Sequence, residues 1–196
     1  MVTSAFHLSF AGLLVTVIAT LVVVPSCQDP VHDQEVAALG PENPKIPVGQ
    51  YHRAGQPCTF CHGPEGPAQT QFTVAGTVFY QAFPLATGAG NAVVSLADDI
   101  GKQIQITTNC VGNFWVTDAA YSPDFPMLAS VFPAGATTGV SMFTQIGRAS
   151  SCAECHADPT GYNAVGHIFL GEPPPAQLPD CPVDPNLADF AIGASQ

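Results

Sequence analysis

The chain has 196 residues, of which four are Lys or Arg and fifteen are Asp or Glu, so its formal net charge is −11 at pH 7. This charge argues against a nucleic-acid partner, because binding to a phosphate backbone depends on Lys and Arg side chains that displace condensed counterions. The 18 glycines and 19 prolines disfavour long helices and favour short strands joined by turns. We therefore expect a mainly β protein of about one domain.

The first part of the chain has the features of an export segment. Residues 8–24 are apolar except for one Ser and two Thr, and no charged side chain occurs before Asp29. We predict a signal peptide over residues 1–26. It ends in Val24-Pro-Ser-Cys27, which resembles a bacterial lipobox, so Cys27 is the predicted lipidation site of a periplasmic, outer-membrane or cell-surface lipoprotein. The alternatives are an uncleaved membrane anchor and plain secretion.

The next segments in chain order are a tether, a β region and a tail. Residues 27–50 contain four prolines and little periodicity, so we predict an extended, Pro-rich tether. Residues 172–196 are again rich in proline, and we predict an irregular surface tail. Between them, residues 72–145 place β-branched and aromatic residues between turn residues, which is typical of strands. The predicted strands are Phe72–Tyr80, Ala92–Leu96, Gln103–Thr108, Asn113–Thr117 and Gly139–Thr144, with Met127–Phe132 as a further candidate.

The β region also resembles a known family. Val74-Ala-Gly-Thr-Val-Phe79, Gly90-Asn-Ala-Val-Val-Ser-Leu96 and Gly112-Asn-Phe-Trp-Val116 are similar to the repeated pattern of the carboxypeptidase-regulatory-like, or transthyretin-like, β-sandwich. The resemblance covers residues 72–144 and implies a small antiparallel β-sandwich. It carries no catalytic residues, so it says little about function.

Two identical motifs border this β region. Cys58-Thr-Phe-Cys-His62 lies in the segment 51–71, and Cys152-Ala-Glu-Cys-His156 lies in the segment 146–171. On one helical turn, residues i, i+3 and i+4 share a face, so two thiols and an imidazole can address one ligand. Pro57 at the start of the first motif, and a Ser151/Glu154 capping box in the second, favour such a turn in both places.

The motifs match the attachment signature of c-type haem. The resemblance implies two covalent haems c, bound as thioethers by Cys58, Cys61, Cys152 and Cys155, with His62 and His156 as proximal iron ligands. Structural zinc, thioredoxin-like redox motifs and disulfides local to each pair are the alternatives.

Each iron has a second axial position. His52 lies in His52-Arg-Ala-Gly-Gln-Pro-Cys58, which resembles the His-x-x-Gly-x-x-Cys lead-in of bis-histidine multihaem cytochromes, so it is the predicted distal ligand of the first haem. For the second haem we predict His167, with Met142 as the alternative. His32 and Met127 have no assigned role.

These patterns predict an exported dihaem electron carrier with six-coordinate haems rather than an enzyme. Its expected partners are other redox proteins or extracellular electron acceptors, and a membrane through the lipid anchor. A haem-containing binding or sensor module, and a dihaem peroxidase-type enzyme, are the alternatives. The two remaining cysteines, Cys110 and Cys181, are candidates for a disulfide in an oxidising compartment.

Overall fold

The computed structural model describes residues 29–85, 87–158, 160–161 and 164–186. The predicted signal peptide and the predicted lipidation site at Cys27 lie outside these ranges. Within them, no helix has both the length and the apolar character needed to cross a membrane.

The described chain contains mostly strands, as predicted, and few helices. The helices are α1 (Pro30–Ala38), α2 (Cys58–His62) and a 3-10 helix (Cys152–Glu154). The strands are β1 (Val74–Phe79), β2 (Val93–Ala97), β3 (Gln103–Thr107), β4 (Asn113–Val116), β5 (Leu128–Phe132), β6 (Val140–Ser141) and β7 (Ile168–Phe169).

The strands form two sheets. One sheet has the order β3-β2-β5-β6 and is antiparallel throughout. The other has the order β4-β1-β7, in which β1 pairs antiparallel with β4 and parallel with the short β7. All six residues of β1 are buried, because this central strand is covered on both faces.

One hydrophobic core is shared by both sheets. Val74 and Val78 of β1 belong to the same cluster as Val94 and Leu96 of β2, and Met127, just before β5, is fully buried within it.

Along β3 the exposed polar residues alternate with half-buried isoleucines, so this strand has the solvent-exposed face predicted from its sequence. The strand predicted at Gly139–Thr144 is shorter than expected and comprises only Val140–Ser141.

The extended tether predicted for residues 27–50 is wrong over Pro30–Ala38, which is an α-helix. Asp29 caps it by accepting hydrogen bonds from the backbone N–H groups of Val31 and His32, and Pro30 occupies the first turn, where no intrahelical donor is lost. Pro30, one of the four prolines that suggested an extended chain, is therefore compatible with a capped helix. Further on, Ile46 is buried, so this segment is also part of the folded body.

A second, smaller cluster joins the N-terminal segment to the tail. It comprises Ile46, Ala54, Val111 and Val183, with Tyr51, Cys110 and Cys181 packed against it. Cys110 and Cys181 form a disulfide, with Cα atoms 5.5 Å apart. The described part of the Pro-rich tail, up to residue 186, has no helix or strand, and it is covalently tied to the turn before β4.

Candidate functional site

The first motif forms the short helix α2. Pro57 caps its start in an extended conformation rather than occupying the first helical position, and the backbone N–H of Gly63 closes the turn on the Thr59 carbonyl at 2.8 Å. His62 is then oriented by a hydrogen bond of 2.7 Å between its Nδ1 and the Thr70 carbonyl. Because a carbonyl only accepts, Nδ1 must carry the hydrogen, and Nε2 keeps a lone pair that can bind a metal.

The second motif has the same chemistry on a tighter turn. The 3-10 helix Cys152–Glu154 forms half of the predicted capping box: the Ser151 N–H donates to Glu154 Oε1 at 3.2 Å, whereas the buried Ser151 hydroxyl has no hydrogen-bond partner among the described residues. His156 follows directly, and its Nδ1 lies 3.0 Å from the Gly166 carbonyl. The same hydrogen-bond rule makes Nε2 the available nitrogen of His156.

A cavity of about 530 Å³ opens in front of the first motif. This volume is within the range of roughly 300–1,000 Å³ that is usual for cofactor and ligand sites. Cys58, Cys61 and His62 line one part of it, and Phe72 and Trp115 line another. The Phe72 ring stacks on His62, with centroids 4.3 Å apart and an interplanar angle of 14°, so an aromatic wall also holds this imidazole in place.

His52 lines the same cavity as His62. Their ring centroids are 5.9 Å apart. Two imidazoles that bind one metal ion through bonds of about 2.0–2.1 Å have ring centroids about 6 Å apart, so the observed spacing suits a shared ion. The Nδ1 atom of His52 is hydrogen-bonded to the Gly49 carbonyl, which again leaves Nε2 for a metal.

His167 has a different environment. It is only 4% exposed, its Nδ1 is paired with the Asp158 carboxylate, and its Nε2 lies 2.7 Å from the Gln81 carbonyl. Both ring nitrogens therefore face acceptor oxygens. A metal bond from His167 would require one of these hydrogen bonds to break.

The alternative ligand Met142 lies beside β6, in the four-stranded sheet, where its backbone N–H donates to the Ala129 carbonyl. The second motif instead adjoins the other sheet, through a bridge between Ser151 and Ala75 of β1. Whether His167 or Met142 is the distal ligand of the second haem therefore stays a prediction.

The two motifs are neighbours in space, although their first cysteines are 94 positions apart (152 − 58). The Thr59 hydroxyl donates to Glu154 Oε1 at 3.4 Å, which joins one motif directly to the other. Gly76 of β1 lies against the second motif so closely that an added Cβ would be 2.8 Å from Cys152 Cβ. Strand β1 thus supports both motifs.

The thiols of the motifs are not bonded to each other or to other described cysteines. Burial raises the pKa of Cys58 to about 11. Burial, and then repulsion from Cys58, raises the pKa of Cys152 to about 12. Both thiols belong to half-buried residues, are uncharged at neutral pH and are close enough to influence each other.

Among the described residues, no group of three or more His, Cys, Asp or Glu side chains is arranged to hold a metal ion. The chain matches no protein-family model, no curated protein and no solved structure. The function is therefore inferred from the residues of this chain alone.

Several parts of the site were missed by the sequence reasoning. The backbone carbonyls of Thr70 and Gly166 orient the motif histidines. Residue type does not reveal such a role, because every residue has a backbone carbonyl. In the sequence, Gly76 is an ordinary strand glycine, and only the structure shows that Cys152 packs against it. His32, which had no predicted role, lies edge-on to Phe60 of the first motif, with ring centroids 6.2 Å apart.

Proposed function

We propose that this protein is an exported dihaem c-type cytochrome that carries electrons. The observation that carries the proposal is the matched geometry of His62 and His156. Each follows a Cys-x-x-Cys turn, and each has Nδ1 bonded to a backbone carbonyl, eight residues downstream for His62 and ten for His156. This arrangement presents Nε2 as the proximal ligand and fixes the ring that carries it.

The residues present suit two covalent haems. Cys58 and Cys61 would form thioethers in the first site, beside the cavity of about 530 Å³, and Cys152 and Cys155 would do so in the second. The haem iron, once bound, supplies the one-electron redox chemistry. The chain orients the imidazoles through backbone carbonyls and stacks the Phe72 ring on His62 in the first site.

His52 and His62 favour bis-histidine ligation of the first haem, because both rings border the cavity and their centroids are 5.9 Å apart. Bis-histidine ligation belongs with low-spin, six-coordinate iron and a lower reduction potential than methionine ligation. A closed coordination sphere suits electron transfer, whereas a peroxidase needs an open iron position.

The contact between Thr59 and Glu154 places the two motifs side by side, which supports electron exchange between the haems within one chain. The two sheets that share one core support the further proposal of a carboxypeptidase-regulatory-like β-sandwich, which holds the two attachment turns at fixed positions. The sandwich is then a scaffold rather than a substrate site.

We further propose that the mature protein is a periplasmic, outer-membrane or cell-surface lipoprotein anchored through Cys27. The net charge of −11 favours docking to a basic redox partner, because complementary surface charge accelerates association. Extracellular electron acceptors are the other class of partner. These assignments depend on the apolar segment 8–24 and on the lipobox-like end of that segment.

The decisive experiment is the intact mass of protein produced in a host that matures c-type cytochromes. The expected mass includes two haems and an acyl-modified Cys27, and acidic organic solvent should not extract the colour. The paired substitution Cys58→Ser/Cys61→Ser should remove one haem, and Cys152→Ser/Cys155→Ser should remove the other. The matched control, Cys110→Ser/Cys181→Ser, should retain both.

A colourless protein, or pigment that leaves in acid, would overturn the cytochrome proposal. Spectra then separate the electron carrier from the alternatives. Low-spin signals from both haems favour a carrier, whereas a high-spin haem that binds peroxide, carbon monoxide or nitric oxide favours an enzyme or a sensor.

A further inference from the structure

The ring of His156 is held by the backbone carbonyl of Gly166, which lies 3.0 Å from Nδ1 and ten residues further along the chain. A peptide unit is planar, so this carbonyl lies in one plane with the N–H group and the Cα atom of His167. The direction in which the carbonyl points therefore depends on how His167 is fixed. The contacts of His167 thus bear on the orientation of His156.

His167 is anchored through both nitrogens of its ring. Nδ1 is paired with the Asp158 carboxylate, and Nε2 lies 2.7 Å from the carbonyl of Gln81, two residues after β1. The ring also packs against Phe79, the fully buried last residue of β1, with ring centroids 4.6 Å apart. Because the side chains of Asp158 and His167 are almost fully buried, water competes little for this pairing. The His167 ring therefore has little freedom to move.

The backbone on either side of His167 is fixed as well. After it, the chain enters β7, which pairs in parallel with β1. Before it, the N–H of Val165 donates to the Cys155 carbonyl of the second motif at 3.0 Å. Between these two points, Gly166 is buried and has a φ of +88°, which residues with a Cβ rarely adopt. Glycine permits the turn that brings this carbonyl to His156.

The first motif holds its histidine in a different way. The Phe72 ring stacks on His62 with centroids 4.3 Å apart, and the Phe72 N–H donates to the His62 carbonyl at 2.7 Å. In the first site a stacked ring therefore fixes the imidazole directly. In the second site the anchored His167 fixes the carbonyl to which the imidazole is bonded.

We propose that His167 is a positioning residue for the second haem, and that its contacts with Asp158 and Gln81 hold the Gly166 carbonyl against Nδ1 of His156. This inference rests on the proposed dihaem function, and it gives His167 a role other than the distal ligation predicted from the sequence. A carbonyl that accepts the Nδ1 hydrogen makes the imidazole a stronger donor to iron, which stabilises the oxidised state and lowers the reduction potential. The anchored His167 thereby lowers the potential of the second haem.

The test uses the full, matured protein with only the second haem, made by Cys58→Ser/Cys61→Ser. In this background, His167→Ala should raise the reduction potential, measured by spectroelectrochemical titration, because the carbonyl beside His156 is no longer held in place. The spin state should not change, because no iron ligand is lost. Asp158→Asn keeps an acceptor oxygen for the His167 ring, so its potential should stay closer to that of the background protein.

Gly166→Ala covers the case in which His167→Ala does not mature. Its Cβ disfavours the φ of +88° and would lie 3.0 Å from Cγ2 of Thr160, so the carbonyl is displaced while the buried pair is kept. The reduction potential should again rise. The matched control is Gly135→Ala, in the turn between β5 and β6. Gly135 also has a positive φ, of +73°, and its added Cβ would meet no described atom within 4 Å, so this variant should leave the potential unchanged.

An unchanged potential in His167→Ala would overturn the proposal, and where that variant does not mature, an unchanged potential in Gly166→Ala would do so. An equal shift in Gly135→Ala would also overturn it, because the effect would then follow from lost stability. High-spin iron in His167→Ala that added imidazole converts back to low-spin would show that His167 binds the iron itself, against the proposal. None of these results would affect the cytochrome proposal, which fails only if the wild-type protein carries no covalent haem.

Discussion

The hydroxyl of Thr59 donates a hydrogen bond to the carboxylate of Glu154 at 3.4 Å, across 95 positions of sequence. Each residue is one of the two between the cysteines of its motif. The same Glu154 oxygen accepts the backbone N–H of Ser151, so a single carboxylate closes the second turn and joins it to the first. This contact joins two motifs that lie at opposite borders of the β region in the sequence.

Replacing Thr59 with valine tests this link, because valine keeps the branched shape and removes the hydroxyl. We expect the free energy of unfolding to fall by about 1 kcal/mol, the usual net value of one hydrogen bond, since Glu154 is exposed and regains water. Urea denaturation followed by circular dichroism measures this change. The exposed Thr137→Val is the control and should have little effect; an equal loss in both variants would contradict a specific role for the Thr59 hydroxyl.

Gly76→Ala should disturb the second motif. The new Cβ would lie 2.8 Å from Cys152 Cβ, closer than real Cβ contacts, and 3.0 Å from Cys152 Sγ, which is a tight contact. We expect a destabilisation of about 1–3 kcal/mol from overpacking, and a lower yield of the second haem because the Cys152 sulfur is displaced. Intact mass measures haem occupancy. Gly147→Ala, whose Cβ would meet no described atom within 4 Å, should retain both haems, and an unchanged mass for Gly76→Ala would refute the prediction.

Asp158→Ala should destabilise the protein by about 3–5 kcal/mol, because it leaves the buried His167 without its charged partner. The side chains of this pair are only 2% and 3% exposed. A double-mutant cycle with His167→Ala, followed by chemical denaturation, should give a coupling energy of about 0.5–3 kcal/mol between the two residues. If the two substitutions lower the free energy of unfolding additively, the interaction between Asp158 and His167 does not stabilise the protein.

Loss of the disulfide should lower stability substantially. The bond between Cys110 and Cys181 closes a loop over a sequence separation of 71, for which the chain-entropy relation gives about 4 kcal/mol. Cys110→Ser/Cys181→Ser should therefore shift the denaturation midpoint downward, measured with both proteins in the same iron oxidation state. Dithiothreitol should lower the stability of the wild type toward that of the variant and leave the variant itself unaffected. A midpoint equal to that of the wild type would rule out this contribution.

Stability should decline in alkaline solution as buried tyrosines ionise. Burial, followed by repulsion from Asp98, raises the pKa of Tyr121 above its ordinary value of 10.0, and burial, followed by repulsion from Glu172, raises that of Tyr80. The unfolded chain then loses these protons at a lower pH than the folded protein, so the stabilisation is complete below about pH 10 and is lost as pH rises through the folded pKa values. Tyr121→Phe should flatten the pH profile of the unfolding free energy above pH 10, and an unchanged slope would contradict this.

Much of the fold could be predicted because strand formation here follows local patterns. The half-buried Ile104 and Ile106 of β3 alternate with exposed polar neighbours, and this period of two is visible in the sequence. The helical turn of Cys58–His62 and the hydrogen bond from the Ser151 N–H to Glu154 are equally local. The helix α1 was missed because proline count outweighed the Asp29 cap, and β7 was missed because two residues carry no periodicity.

The sequence by itself determined that the chain is mainly β and that it carries two identical Cys-x-x-Cys-His turns, since strand period and helical spacing depend only on neighbouring residues. Only the tertiary structure decided that the turns meet, that both nitrogens of His167 face acceptor oxygens and that Nε2 of His32 is left unpaired. Each of these facts depends on contacts between distant segments, such as the bridge between Ala75 and Ser151. Such pairings are chosen by the burial of the whole core, which no short stretch of sequence contains.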